Sequence, residues 1–198
     1  MASVDKGSGG STADGSNLSG ESYGSNRSVG SEKINGTNES ASASSVALYL
    51  NTFSKIRDAV KGFTDEELQW KPAPDKWSVT EVVTHLVDSN LVNSYRIRQV
   101  LTESHAQLAP YAHDDWVLSQ QSNQTPMQEL LLIYEAVTRY NALLLSRLDD
   151  SAWDKYGWED THSYTLRHII EVFIARHVDI HMAQIERIQS AYLLSKRA

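Results

Sequence analysis

Apolar residues recur at helical spacing in four long segments, and glycine, proline and polar residues separate these segments. The four predicted segments span residues 45–62, 78–103, 125–148 and 164–195. Apolar positions spaced three and four residues apart are typical of helices that bury one face. No segment alternates strictly enough between apolar and polar residues to predict a strand. The pattern therefore predicts an all-α fold, a four-helix bundle.

Two of these helices carry a start signal in the sequence. Ser78 and Glu81 have the spacing of a capping box, in which each side chain bonds the backbone of the other residue. Thr125, Pro126 and Gln128 suggest a similar start for the third helix, with threonine as the cap and proline in the first helical position.

Residues 1–45 differ in composition from the rest of the chain. This segment consists mainly of serine, glycine and asparagine, and it holds eight of the ten glycines. Such a segment buries too little apolar surface to offset the entropy lost on ordering. We therefore predict a disordered tail or linker over residues 1–45 and a single bundle domain over residues 46–198.

Composition also limits the function. The formal net charge of −7 argues against binding to nucleic acid or to an anionic membrane surface. The chain has no cysteine, which excludes disulfides, thiolate metal ligands and a cysteine nucleophile. No apolar run approaches the roughly 20 residues that span a bilayer, and the amino terminus lacks the apolar core of a signal peptide. We therefore expect no membrane span and a cytoplasmic location.

Two histidines lie on the apolar face of the fourth predicted helix. On a wheel of about 100° per residue with Ile170 as origin, His177 and His181 fall within about 20° of the apolar line. On the second helix, His85 lies about 60° from Val82, at the edge of that helix's apolar face. A polar row that includes Arg96 continues from His85 along the helix. Three histidines of two helices are thus candidates for one buried site.

Two interpretations of these histidines remain open at this point. Neutral imidazoles in a core each need a hydrogen-bond partner, and such histidines are common. One divalent metal ion would satisfy all three at once and would leave coordination positions for water or substrate. A zinc-protease helix is disfavoured, because Val178 stands where the H-E-x-x-H pattern has its glutamate base.

Two segments resemble a known family. "PDKWSVTEVVTHLVDSN" is similar to the W-S-x-x-E-x-x-x-H-L entry to the second helix of the DinB/YfiT-like superfamily, and "TLRHIIEVFIARHVDIHMAQIERI" resembles its H-x-x-x-H final helix. "PYAHDDWV" is a looser match. The resemblance covers about residues 46–195 and implies a DinB-like four-helix bundle.

The resemblance also implies a metal site and a range of chemistry. By similarity, His85, His177 and His181 bind a divalent metal, with zinc or nickel expected and iron or manganese as alternatives. It implies a small-molecule substrate, a homodimer, and a metal-dependent enzyme in which a metal-bound thiolate or hydroxide attacks an electrophile. The thiol route needs an external low-molecular-weight thiol and would make the protein an S-transferase, whereas the water route would make it a hydrolase. The competing hypothesis is a non-catalytic bundle that acts as a binding or stress-response protein, with a structural metal or none.

Other residues are weaker candidates. Arg96 is the one candidate for a catalytic or binding role, on a carboxylate of a thiol cofactor or substrate. The alternative is an ion pair with Glu or Asp on the bundle surface. Asp88 and Asp179 are candidate acceptors for the N–H groups of the histidines, although the wheel turns Asp179 away. The loop that holds His113 and Trp116 is expected near the mouth of the bundle, where it can shape a pocket.

Overall fold

The computed structural model describes residues 41–197, in which four long helices form a bundle. The helices are α1 (Ala41–Ala59), α2 (Asp65–Gln69), α3 (Val79–Thr102), α4 (His113–Ser119), α5 (Met127–Leu145), α6 (Leu166–His168) and α7 (His177–Ser195). A π-helical stretch, Ile169–Arg176, connects α6 to α7 with helical backbone angles at both joints, so these three pieces form one final helix. The predicted all-α four-helix bundle is confirmed.

The four long helices pack in a closed square. α1 packs against α5 and the final helix. α3 lies diagonally opposite α1 and packs against the same two helices. The face of α3 that meets the final helix therefore lies along one side of the bundle. Within the described part of the chain, no helix combines the length and the apolar character needed to cross a membrane.

Most of the predicted tail, residues 1–40, lies outside the described residues. α1 begins at Ala41 and so includes the last five residues that the composition assigned to the tail. Ser45 is buried, and its hydroxyl donates to Glu171 Oε1 of the final helix at 2.5 Å. The start of α1 is thus attached to the bundle.

The predicted start of α3 is confirmed, and that of α5 is wrong in detail. The Glu81 N–H donates to Ser78 Oγ at 3.1 Å, and the Ser78 N–H donates to Glu81 Oε2 at 2.8 Å. α5 begins after Pro126, and no side chain of the described residues caps it. Pro126 is itself the cap residue, with extended backbone angles, and its carbonyl accepts the first helical bonds, so Thr125 lies one position too early.

Two elements between the helices were not predicted. The strands β1 (Tyr156–Glu159) and β2 (His162–Thr165) form an antiparallel hairpin, so the expectation of a chain without strands is wrong. Each strand has four residues, too few for alternation to stand out, and the turn is made by Asp160 with a φ of 53°. α4 lies in the stretch expected to be a loop, and only Val117 of its residues is buried.

The core contains two apolar clusters, and a buried polar network lies between the helices. One cluster surrounds Ile56 and Val83, and the other surrounds Trp153 and Ile170. The Tyr49 hydroxyl donates to Asn90 Oδ1 at 2.7 Å and accepts from Asn141 Nδ2 at 2.9 Å, which joins α1 to α3 and α5. Buried polar groups that are satisfied in this way fix the register of the helices.

Tyr49 should make the stability of the bundle sensitive to alkali. Burial raises the pKa of Tyr49 to about 12, whereas an unfolded tyrosine titrates near 10. The folded pKa is the higher one, so this contribution is complete below about pH 10 and is lost as the pH rises towards about 12. Urea unfolding of the wild type and of Tyr49→Phe, measured between about pH 8 and 11, is expected to show a smaller loss of stability in the variant. Identical pH profiles would contradict this assignment.

Candidate metal centre

The side chains of His85, His177 and His181 meet in a buried cluster between α3 and the final helix. His85 Nε2 lies 3.1 Å from His177 Nε2, and His181 Nε2 lies 2.9 Å from the same atom. One ring nitrogen from each histidine lies within 4.8 Å of the other two. The structure thus brings together the three histidines that the sequence selected, from positions 92 residues apart in the chain.

Local structure explains how the three rings converge. The capping box at Ser78 fixes the first turn of α3, and His85 lies two turns further along that helix. His177 and His181 are one turn apart at the start of α7, so their rings lie on the same face. α3 packs against both the π-helical stretch and α7. Two rigid helices therefore hold the cluster in place.

Polar side chains orient two of the rings from outside. His181 Nδ1 lies 2.8 Å from Gln184 Oε1, and because an amide oxygen only accepts, His181 carries its proton on Nδ1 and offers a lone pair at Nε2. His177 Nδ1 lies 3.4 Å from Ser89 Oγ. His85 Nδ1 is buried and has no hydrogen-bond partner among residues 41–197.

The two aspartates that the sequence suggested as acceptors for the histidines do not have this role. Asp88 accepts from Gln120 Nε2 at 3.4 Å, and Asp179 pairs with Lys55 on the surface. Asp88 follows His85 by three residues and points to α4 instead, while Asp179 faces away, as the wheel indicated. Gln184, three positions after His181, orients that ring instead. Its acceptor is an amide oxygen, so considering only carboxylates as acceptors does not find it.

The environment keeps the three imidazoles neutral. Burial, with a smaller contribution from the neighbouring histidines, lowers the pKa of His85 to about 2 and that of His177 to about 3. Burial also lowers the pKa of His181, against the opposing effect of Gln184. A neutral imidazole is the form that binds a metal ion, so the cluster needs no deprotonation to act as a ligand set at pH 7.

The donor set fits a divalent metal ion better than it fits hydrogen bonding alone. Three neutral ring nitrogens that face one another cannot all form hydrogen bonds. His181 Nε2 and at least one neighbouring histidine Nε2 carry a lone pair and no proton. With metal–nitrogen bonds of about 2.0–2.1 Å, ligand nitrogens in a tetrahedral site lie about 3.3 Å apart. The separations of 3.1 and 2.9 Å are close to that value. In the described chain, no carboxylate joins this group of ligand atoms.

A pocket with a cavity volume of about 370 Å³ opens beside the cluster. Next to the histidines, Trp77 and Tyr111 form aromatic walls, and the ring centroid of Trp77 lies 5.1 Å from that of His85. His113 contributes a fourth imidazole, whose centroid is 5.4 Å from that of His85. The volume is in the usual range for small-molecule sites. A small molecule can therefore reach the three histidines.

Arg96 lines the far end of this pocket, and the structure shows it in an ion pair. Its Nη2 donates to Glu159 Oε1 of the hairpin at 3.3 Å and to the Ala109 carbonyl at 2.7 Å. The alternative of an ion pair with an acidic residue is thus observed, but Arg96 is buried in the pocket and not on the bundle surface. Glu159 was not predicted, because it lies in the hairpin that the sequence pattern does not reveal.

The loop that holds His113 and Trp116 shapes the pocket as expected, whereas a tryptophan of the site was not predicted. The sequence placed His113 and Trp116 near the mouth of a pocket, and the structure places His113 in the pocket wall together with Tyr111, against whose ring Trp116 packs. Trp77 was not among the candidate residues, yet its ring packs against His85 and stacks at 6.4 Å on His181. Its position directly before the Ser78 cap was the available signal.

Known proteins with similar sequences and folds were identified by comparison. The family model of the DinB superfamily matches residues 49–185. The chain is 28% identical over 138 residues to "Putative metal-dependent hydrolase YfiT" of Bacillus subtilis, covering 68% of this chain and 78% of the relative. It is 26% identical over 133 residues to "Putative metal-dependent hydrolase GK0616" of Geobacillus kaustophilus, covering 67% and 75%.

A solved structure shows the same fold. It is described as "YfiT from Bacillus subtilis is a probable metal-dependent hydrolase with an unusual four-helix bundle topology", and it superposes with a TM-score of 0.67 at 20% identity. The match covers 79% of this chain and 92% of that one. The matched residues include all three histidines. The chain therefore belongs to the DinB superfamily.

Proposed function

We propose that His85, His177 and His181 bind one divalent metal ion and that the protein is a metal-dependent enzyme acting on a small molecule. The observation that carries this proposal is the convergence of three neutral Nε2 atoms beside an open pocket. The names of the relatives, which describe metal-dependent hydrolases, point in the same direction.

The ligand set favours a borderline metal ion. Imidazole nitrogen suits zinc, nickel, iron and copper, whereas magnesium and calcium prefer oxygen ligands. Three nitrogens without a carboxylate within the described chain therefore favour zinc or nickel, with iron or manganese as the alternatives. Metal analysis of protein purified without an affinity tag is expected to show about one such ion per chain.

The chain's own residues supply orientation, exclusion of water and a proton acceptor. A divalent metal held by the three histidines would lower the pKa of a coordinated water or thiol and so would supply a nucleophile at neutral pH. Gln184 holds the tautomer of His181 that presents Nε2. Trp77 and Tyr111 shield one side of the cluster from solvent. His113 is the side chain in the pocket that we assign to accept a proton from the nucleophile.

Two reaction classes share this site and differ in the nucleophile. Hydrolysis needs only water, whereas S-transfer needs a thiol from outside, because the chain contains no cysteine. The metal-loaded protein should be tested against small esters and amides, and separately against electrophilic acceptors with low-molecular-weight thiols. Turnover without thiol assigns a hydrolase, and turnover only with thiol assigns an S-transferase. A metal-loaded protein inert in both assays would support the non-catalytic bundle instead.

Gln184 provides a prediction for the orientation of the metal ligands. Gln184→Leu is expected to weaken zinc binding by about 10–100-fold, because His181 loses the acceptor that fixes its tautomer. Gln184→Glu keeps an acceptor at this position and should retain most of the affinity. Gln189→Leu, on the same helix but outside the cluster, is the matched control. Competition titration with a zinc chelator measures all three, and equal affinities for Gln184→Leu and the wild type would contradict the role.

The homodimer and the cytoplasmic location are further parts of the proposal. Exposed apolar side chains of α5, including Leu132 and Leu143, offer a surface for self-association. Light scattering coupled to size exclusion measures the mass of the particle directly. A monomeric mass at micromolar concentration would refute the dimer without affecting the metal site.

A further inference from the structure

The far end of the pocket, away from the three histidines, carries more positive than negative charge. Three lining side chains bear a full charge near neutral pH: Arg96 of α3, Arg176 of the final helix and Glu159 of the hairpin. Two of these charges are positive and one is negative. The whole chain, in contrast, has a formal net charge of −7. A positively charged pocket wall in an acidic protein favours an anionic ligand.

The two arginines belong to the same end of the pocket. Arg96 follows His85 by eleven residues, so it lies about 16 Å further along the axis of α3. Arg176 directly precedes His177, and a helical side chain leans towards the amino terminus of its helix. Arg176 therefore leans towards the turn that holds Phe173, and the Arg96 guanidinium carbon lies 5.9 Å from the centroid of the Phe173 ring. A ligand that reaches this end from the histidines must be elongated.

Each arginine presents N–H groups that a ligand in the pocket can reach. Arg176 is exposed, and a guanidinium has five N–H donors, so Arg176 can keep a contact elsewhere and still bind a ligand. In Arg96, Nη2 donates to Glu159 and to the Ala109 carbonyl, while Nε is enclosed. Arg96 Nη1 forms no hydrogen bond within residues 41–197 and, unlike Nε, is not enclosed. Nη1 is therefore the nitrogen of Arg96 that faces the pocket.

The balance of charge selects the kind of anion. Glu159 Oε1 lies 3.3 Å from Arg96 Nη2, so the ion pair leaves Nη1 available and holds the guanidinium in place. The Glu159 carboxylate repels an incoming anion, whereas Arg96, Arg176 and a divalent metal at the histidines attract it. One negative charge on the ligand neutralises the three charged side chains, and a phosphate dianion would exceed that. A carboxylate carries this single charge and matches the planar donor fork of a guanidinium.

Apolar side chains line the pocket between its two ends. Val172, Phe173 and Ile180 of the final helix all contribute to this wall. An apolar chain in the middle of a ligand would bury its surface against these side chains. The pocket thus combines a metal-ligand cluster, an apolar middle and a cationic far end.

We propose that the substrate is an elongated organic acid whose carboxylate is bound by Arg176 and by Arg96 Nη1, with an apolar middle and its reacting group at the three histidines. This inference rests on the proposed metal-dependent function. It adds the chemical class of the substrate, and it gives Arg176, which was not among the candidate residues, a role in selecting that substrate. The two arginines act as specificity residues and do not touch the reacting atoms.

Linear hydroxamates test the proposal, because the hydroxamate anchors at a metal ion and the other end can be varied. Chains of about four to eight carbons should end in a carboxylate, a carboxamide, an ammonium or a methyl group, since the arginine side chains shorten the axial separation of about 16 Å. Isothermal titration calorimetry of the zinc-loaded protein measures their affinities. At the best chain length, we expect the carboxylate to bind at least about tenfold more tightly than the methyl compound, as hydrogen bonds to a charged group imply, and more tightly than the other two. Ionic strength of about 0.5 M should reduce this preference, because Arg176 is exposed to solvent.

Variants assign this preference to the two arginines. Arg176→Gln should reduce the carboxylate preference to about threefold or less while leaving the affinity of the methyl compound unchanged. Arg96→Gln combined with Glu159→Gln removes the ion pair without leaving a single buried charge, and it should reduce the preference in the same way. Arg139→Gln is the matched control, because it removes the same charge from the exposed face of α5, outside the pocket.

The outcomes separate this inference from the proposed function. Equal affinities for all four end groups, or a preference for the carboxamide or the ammonium compound, would overturn the inference and leave the metal site intact. An undiminished carboxylate preference in Arg176→Gln would overturn it as well. Zinc-loaded protein that binds neither these compounds nor acetohydroxamate would refute the proposed function itself.

Discussion

Replacement of His181 by alanine is expected to abolish stoichiometric metal binding while leaving a folded helical protein. His181 supplies one of three converging Nε2 atoms, and the hydrogen bond to Gln184 fixes it in the ligating tautomer. Loss of groups that only orient a ligand costs about 10–100-fold in metal affinity, so loss of a ligand should exceed about 100-fold. Metal content after dialysis against a weak chelator, together with far-ultraviolet circular dichroism, measures the effect and checks the fold.

A matched histidine variant controls for the loss of an imidazole. His162 lies on the exposed strand β2, away from the cluster, so His162→Ala should bind metal as the wild type does. His177→Ala and His85→Ala should behave like His181→Ala, because each ring contributes one nitrogen to the same group. Wild-type metal content in His181→Ala would show that the cluster is a hydrogen-bonded core feature.

The position of the cluster could be predicted from the sequence because the relevant helices are long and regular. A wheel placed His177 and His181 on the apolar face, and α7 is a regular helix over both residues. The capping box at Ser78 gave the start of α3 and therefore the face on which His85 lies. What the wheel could not supply was the distance between α3 and the final helix, which depends on packing.

The π-helical stretch is the main departure from the wheel. In a straight α-helix, a step of four residues drifts by about 40° around the axis. Ile170, Ile174 and Val178 are nevertheless all buried, because a π-helical turn holds more residues than an α-helical turn and so changes the face on which the following residues lie. Phe173, which belongs to the same stretch, lines the pocket. Hydrogen bonds from residue i to i+5 leave no clear signal in one sequence.

The far end of the pocket was beyond sequence reasoning for a different reason. Glu159 meets Arg96 only because the hairpin folds back along α3, where Trp158 forms backbone hydrogen bonds with Ala106 and Leu108. Gly157 permits this close approach, since a Cβ there would lie 2.8 Å from Leu108 Cδ2. Two strands of four residues carry too little periodicity to be detected, so neither the hairpin nor the partner of Arg96 follows from the pattern.

The three histidines connect α3 to the final helix, so a bound metal should stabilise the packing of these two helices. The two histidines of α7 and the one of α3 come from segments far apart in the chain, and an unfolded chain does not hold them together. A ligand that binds only the folded state raises the free energy of unfolding in proportion to the logarithm of its concentration relative to Kd. The coupling between metal and fold should therefore be large in this protein.

Removal of the metal is thus expected to lower the unfolding temperature of the wild type strongly. Free zinc at about a thousand times Kd contributes about 4 kcal/mol, and a domain of this size shifts its Tm by about 2–4 °C for each kcal/mol, which gives a fall of about 8–16 °C on chelation. Calorimetry of wild-type protein with zinc and with excess chelator measures this difference. His181→Ala should show almost no difference between the two conditions, because it lacks a ligand, whereas His162→Ala should reproduce the wild-type shift. A chelator-independent Tm in the wild type would contradict a metal that bridges the two helices.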